Sequence, residues 1–198
     1  MARISLRLDA ISVLLTVALL TVALAPSQNA FAKVFAMSIK STTAGPQLLE
    51  LRGGTQLEAV LPAGYRLGML PLGDRITYMF LGPDDKNGEH AVMTVDVLPV
   101  TAKMSSSQAA FKQVFSAYSV GSNDFKSALG KPLLVNGMVF DKASFEGAME
   151  GSRSKGFAVV ARIKQGFCIM VARDKEQNFK KSEAIMVGIV NSCKFKKQ

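Results

Sequence analysis

Residues 156–173, GFAVVARIKQGFCIMVAR, constrain the fold of this chain more than any other stretch. Their alternation predicts two strands joined by a tight turn, with Gln165-Gly166 at the bend. Phe157, Val159, Ala161 and Ile163 fall on one face of the first strand, and Ala158 and Val160 on the other. In the second strand Phe167, Ile169 and Val171 share a face, with Cys168, Met170 and Ala172 opposite. Each strand is therefore apolar on both sides. Such strands need cover above and below, which places the pair inside a layered domain. That implies an architecture and leaves the biochemical role open.

Other strands are expected over 57–61, 75–81 (RITYMFL) and 91–100 (AVMTVDVLPV), while 67–72 is an apolar run interrupted by Gly and Pro. The segment between the last two carries Asn87-Gly88, residues that accept positive φ and suit a hairpin turn. Its acidic residues lack the twelve-residue ligand spacing of a calcium loop. A helix starts at Ser105, where Ser105 and Gln108 fit a capping box. Phe111, Val114, Phe115 and Tyr118 then form its apolar stripe, and 121–123 end it. Residues 133–135, a turn at Asn136-Gly137 and a strand over 138–145 lead to the central hairpin through 151–156, read as a mobile tip. A last helix is expected over 176–192, with Phe179, Ile185, Met186, Val187, Ile189 and Val190 on its buried side. Residues 33–56 are broken by Gly and Pro and form a lead segment, disordered or adding an edge strand.

The N-terminus has the form of an export signal. Arg3 and Arg7 precede residues 11–25, which carry no charge, and Ala30-Phe31-Ala32 offers a small-x-small cleavage site. Ala23-Leu24-Ala25 offers a second. The uncharged run is short of the ~20 apolar residues of a permanent membrane helix. We therefore assign 1–32 to a signal peptide and expect a periplasmic or extracellular protein with no transmembrane segment after cleavage. Residues 57–198 are read as a single domain.

Two of the 24 Lys+Arg and one of the 15 Asp+Glu lie before residue 33, so the remainder carries +8. From residue 151 onward, 11 basic residues face 3 acidic ones, so the whole excess lies there. Lys180, Lys181, Lys194, Lys196 and Lys197 form a candidate patch for an anionic partner. Lysines beyond the last helix also complement its negative end, a structural explanation sufficient by itself.

Cys168 and Cys193 are the two cysteines. In an oxidising compartment an even pair suggests one disulfide. Cys193 falls on the apolar arc of the last helix and Cys168 on one face of the hairpin, so we predict a Cys168–Cys193 bond; the alternative is two small buried thiols. Their spacing is wrong for a zinc motif, and His90, the one histidine, does not complete a ligand set. His90 beside Glu89 invites a triad reading, but it sits at the end of a turn just as a strand starts, where a solvent-facing histidine is expected. Asp96, Asp141 and Glu146 are scattered carboxylates with no pairing signal. The glycines and basic residues of 151–156 lack phosphate-loop spacing. No catalytic residue, metal site or cofactor is assigned, and the absence of tryptophan and of a basic–aromatic pattern argues against nucleic acid.

The order of landmarks is informative. Leu61-Pro62-Ala63-Gly64-Tyr65 closes a strand, paired strands and a helix follow, then Val135-Asn136-Gly137, a three-stranded meander, and Ile189-Val190-Asn191-Ser192 near the end. Over residues 57–195 this resembles the PsbP-like family of extrinsic photosystem II subunits and bacterial exported relatives of the DcrB type. The resemblance implies an α+β fold, an α/β/α sandwich with a mainly antiparallel sheet flanked by helices, used for docking rather than catalysis. A photosynthetic role does not follow, because a fold does not dictate its function. The expectation is a non-catalytic exported accessory protein that binds a protein or envelope partner. The alternative is a periplasmic binder of a small apolar or anionic ligand between sheet and helix, with Met93, Phe111, Phe115, Met138 and Met170 as candidate lining.

Overall fold

The computed structural model describes residues 37–73, 75–85, 90–120, 122, 124–149 and 152–196. The expected signal peptide, the Asn87-Gly88 turn and Lys197 lie outside these residues. In chain order the strands are β1 (Ser38–Ser41), β2 (Gly45–Glu50), β3 (Gln56–Leu61), β4 (Arg66–Leu72), β5 (Arg75–Leu81) and β6 (Val92–Pro99). Helix α1 (Ser107–Ser119) follows, then β7 (Lys126–Leu129), β8 (Leu133–Val135), β9 (Met138–Met149), β10 (Ser152–Ile163) and β11 (Gly166–Lys175). Helix α2 (Glu176–Ser192) and β12 (Lys194–Phe195) close the chain.

A nine-stranded sheet runs β1-β4-β5-β6-β11-β10-β9-β7, with β8 also on β9, and every pairing is antiparallel. A second sheet, β12-β3-β2, has three strands. The central hairpin is β10–β11, in register with Val159 opposite Met170, and it is flanked by β9 and β6. It thus occupies the middle of the sheet. The fold is α+β, a large antiparallel sheet covered by helices on both faces.

The pleat decides what each face meets. Phe157, Val159, Cys168, Met170 and Ala172 pack with Leu57 and Leu61 of β3 and with Met186, Ile189 and Val190 of α2. One outer layer is therefore shared by α2 and the small sheet. Ala158, Val160, Ile169 and Val171 point the other way, to Phe111, Phe115 and Tyr118 of α1. An aromatic cluster of Phe115, Tyr118, Phe125 and Phe145 holds α1 over β9, with centroids 5.2–6.0 Å apart. Gly156 makes this possible. A Cβ there would lie 2.2 Å from Phe145 Cζ and 2.4 Å from the Ala172 carbonyl oxygen, so only glycine fits.

Several local expectations shift. The cap of α1 is Ser106, not Ser105: its Oγ accepts from the Ala109 N–H at 3.2 Å, worth about 1 kcal/mol. The central turn is Lys164-Gln165, because Ile163 pairs with Gly166 and Gly166 already belongs to β11. Residues 152–156 are not a mobile tip but the start of β10, paired with β9 from Ser152 opposite Met149. Arg153 and Lys155 reach from there to Glu176 at 3.0 and 2.8 Å and tie the hairpin to the start of α2. On α2, Ile185 is exposed and the buried line is Ser182, Met186, Ile189 and Val190.

The expected Cys168–Cys193 disulfide does not form. Both cysteines are free and buried, and the sulfurs are not close. Helix α2 does cover the expected face, but its end settles further along β11. Cys193 Sγ lies 3.9 Å from Met170 Sδ and 3.4 Å from the Ile189 carbonyl oxygen. Burial holds both thiols protonated, pushing Cys193 up to about 12 and Cys168 well above its ordinary value.

Candidate functional site

Two places on the α1 side of the sheet stand out. The first is a cleft. Helix α1 lies over β9, β10 and β11, and along its other flank it leaves a gap above β5 and β6. Gln113, Val114, Ala117 and Tyr118 form the helix wall; Thr94, Asp96, Leu98, Ile169 and Val171 form the floor, with Arg75 and Thr77 beside them. It is a small, open cleft with a cavity volume of about 50 Å³.

Charge within this cleft is concentrated in one pair. Arg75 is 7% exposed and its Nη1 lies 3.2 Å from Asp96 Oδ2; the Asp96 side chain is 13% exposed. Thr77 Oγ1 donates to the same Oδ2 at 3.2 Å, and the Val97 N–H donates to Oδ1 at 2.7 Å. Burial raises the Asp96 pKa above its ordinary value despite Arg75 and these donors. The strands explain the placement. Arg75, Thr77, Thr94 and Asp96 all alternate onto the face turned to α1, while Tyr78, Phe80, Met93 and Val95 face the other core.

The second place is an apolar patch at the sheet edge. β7, Gly130 and β8 run along one side of β9, with the Gly130 N–H bonded to the Lys142 carbonyl at 2.8 Å. Leu134 stands opposite Val139 and Leu129 opposite Ala143, so these side chains share the α1 face. Helix α1 does not reach them. Leu129, Leu134 and Val139 are 66%, 73% and 57% exposed. Lys131 lies between Leu129 and Leu134, and Arg162 and Lys164 lie at the end of neighbouring β10; all three are exposed. Asp141, also exposed, is the acidic residue on this stretch of β9. Pro132 interrupts the edge and so limits further strand pairing there.

The residues singled out from sequence are dispersed. Lys180 and Lys181 are exposed on α2, and Lys194 on β12, with roughly 20 Å of helix between the two groups. Lys196 is engaged with Glu58 at 2.7 Å. His90 is not solvent-facing: its side chain is largely buried, with Nδ1 3.2 Å from Asp84 Oδ1, and Asp84 also holds Arg66 at 2.7 Å; burial lowers the His90 pKa. Asp96 pairs with Arg75 and Glu146 lies 3.6 Å from Lys155, so these carboxylates join cations and not each other. The imagined lining of Met93, Phe111, Phe115, Met138 and Met170 does not form one cleft. Met93, Met138 and Met170 belong to the α2 side, Phe111 and Phe115 to the α1 side. Among the described residues no group of three or more His, Cys, Asp or Glu is placed to hold a metal ion. Among them, too, no helix is long and apolar enough to cross a membrane.

No family model matches the chain, and no curated protein matches its sequence. The fold is similar to that of cyanobacterial PsbP (CyanoP) from Synechocystis sp. PCC 6803, with a TM-score of 0.52 and 10% identity over 78% of this chain and 94% of that one. PA94 from Pseudomonas aeruginosa, a protein of unknown function, aligns over 75% of this chain and 95% of its own, at 11% identity and TM-score 0.48. At such identity the likeness to CyanoP concerns the fold.

Proposed function

We propose that this chain is a non-catalytic, exported accessory protein that docks onto a protein partner through the β7–β8–β9 end of its α1 face. The observation that carries this reading is the cluster of Leu129, Leu134 and Val139, exposed together on one face. Covering these three side chains would stabilise a complex by roughly 3–6 kcal/mol before the cost of association. Exposed Lys131 follows Leu129 and Gly130 in the β7–β8 connection, and exposed Arg162 lies over the Phe167 ring at the same end of the sheet. Against them stands Asp141, the exposed acid on this stretch of β9, so the partner surface we expect is apolar at its centre with acidic groups beside it. Lys180, Lys181 and Lys194 supply a separate set of cations for an anionic partner, on the α2 side. The PsbP-like fold agrees with a binding role by analogy. Export follows from the form of residues 1–32.

The test compares wild type with the double variant Leu134→Asp/Val139→Asp. Both side chains are exposed, so the variant keeps its fold by circular dichroism and melting temperature. Crosslinked pull-downs from envelope extract should recover a partner with wild type and lose it with the variant. Equal recovery of that partner by both proteins would overturn the proposal.

A further inference from the structure

Asp96 has partners on both oxygens: Oδ2 accepts from Thr77 and pairs with Arg75, and Oδ1 accepts from the Val97 N–H. Arg75 is in the opposite position. A guanidinium carries five N–H donors, and Asp96 is the partner the structure gives it among the described residues. Arg75 is more than nine-tenths buried and lines the cleft under α1. Its spare donors therefore face a space walled by Val114, Ala117, Leu98, Ile169 and Val171, where water is a poor substitute for a fixed acceptor.

This combination selects a ligand class. The polar lining of the cleft is Arg75, Thr77, Thr94, Asp96 and Gln113; Asp96 is already paired, so the charged group with donors left to offer is Arg75. A planar carboxylate matches a guanidinium edge with two parallel hydrogen bonds. The remaining walls are aliphatic, and the space is small and open at its mouth, so a fitting tail is short, a few carbons lying along the wall. We propose that the cleft between α1 and β5–β6–β11 is a binding site for a small aliphatic monocarboxylate, with its head on Arg75 and its tail along Val114, Ala117 and Ile169. This site is separate from the docking edge, so either assignment stands without the other.

The probe is sodium hexanoate titrated into the full mature protein, followed by amide NMR, with 1-hexanol as the matched uncharged control. Hexanoate should shift the amides of residues 94–98 and 113–118 with a Kd on the order of 1 mM, as befits so few atoms. Hexanol should bind at least tenfold more weakly. Two variants protect the result against misfolding. Arg75→Met/Asp96→Leu replaces the whole buried pair with apolar groups, and Val114→Phe fills the cleft without touching Arg75. Each should weaken hexanoate at least tenfold, while Leu134→Asp/Val139→Asp should leave it unchanged. Hexanol binding as tightly as hexanoate, shifts confined to other regions, unchanged binding in the paired variant, or no shift up to about 20 mM would overturn the assignment.

Discussion

Removing Asp96 should expose how strongly the α1 face depends on its buried ion pair. In Asp96→Ala the Arg75 guanidinium, 7% exposed, loses its carboxylate partner, while Thr77 and the Val97 N–H lose their acceptor. Breaking a buried pair by deleting one member typically costs about 3–5 kcal/mol. A domain of this size has only about 5–15 kcal/mol in total, and each kcal/mol moves its melting temperature by roughly 2–4 °C. Asp96→Ala should therefore lower the melting temperature by roughly 6–20 °C. Replacing both partners, as in Arg75→Met/Asp96→Leu, leaves no orphaned charge and should recover most of the loss. Urea unfolding of the three proteins at neutral pH, with slopes compared to detect changes in the unfolded state, provides the assay. A loss below about 1 kcal/mol in Asp96→Ala, or a double variant less stable than the single one, would refute the reasoning.

Three further outcomes follow from the same structure. Burial lowers the His90 pKa from its ordinary 6.5, so its contribution is complete above that value and declines as pH falls through the lowered folded value; wild type should lose stability relative to His90→Gln between about pH 7.5 and 5, and a constant difference would contradict this. Cys168 and Cys193 are buried, free and held protonated, so iodoacetamide should leave the native protein unmodified and add two groups after denaturation, as mass spectrometry would show. Gly156→Ala forces a methyl against Phe145 and the Ala172 carbonyl, and should cost about 1–3 kcal/mol or more by thermal unfolding, whereas Gly188→Ala, with open space beside it, should be neutral or stabilising.

The central hairpin was legible because period-two alternation and apolar residues on both sides admit few other structures. Its two faces separate in the structure as the sequence separates them, Phe157 and Met170 toward α2, Val160 and Ile169 toward α1. The small sheet was not legible. β12 is only Lys194–Phe195, and its pairing with Glu58 and Leu57 joins the two ends of the fold, which no local pattern records. The tail read as a cap for a helix end is therefore a strand. The disulfide failed for a related reason. Periodicity placed Cys193 on the correct side of α2 but did not specify its axial position, and a shift along β11 set it against Met170. The cleft left a faint trace. Arg75, Thr77, Thr94 and Asp96 are polar residues at alternate positions in otherwise apolar strands, and their shared face was readable, but the pairing of β5 with β6 that brings them together was needed to interpret it. The apolar patch left no trace, because Leu134 and Val139 look like ordinary strand residues until the reach of α1 is known.

The most direct test of the docking account is site-specific photo-crosslinking in the native envelope, with a photoreactive residue at position 134 in one protein and at position 181, on the α2 side, in another. The account predicts a discrete crosslinked protein from position 134 that disappears when Leu129→Asp and Val139→Asp are added. Crosslinking to a discrete partner from position 181 alone, or a product from position 134 that persists in the charged variant, would contradict it.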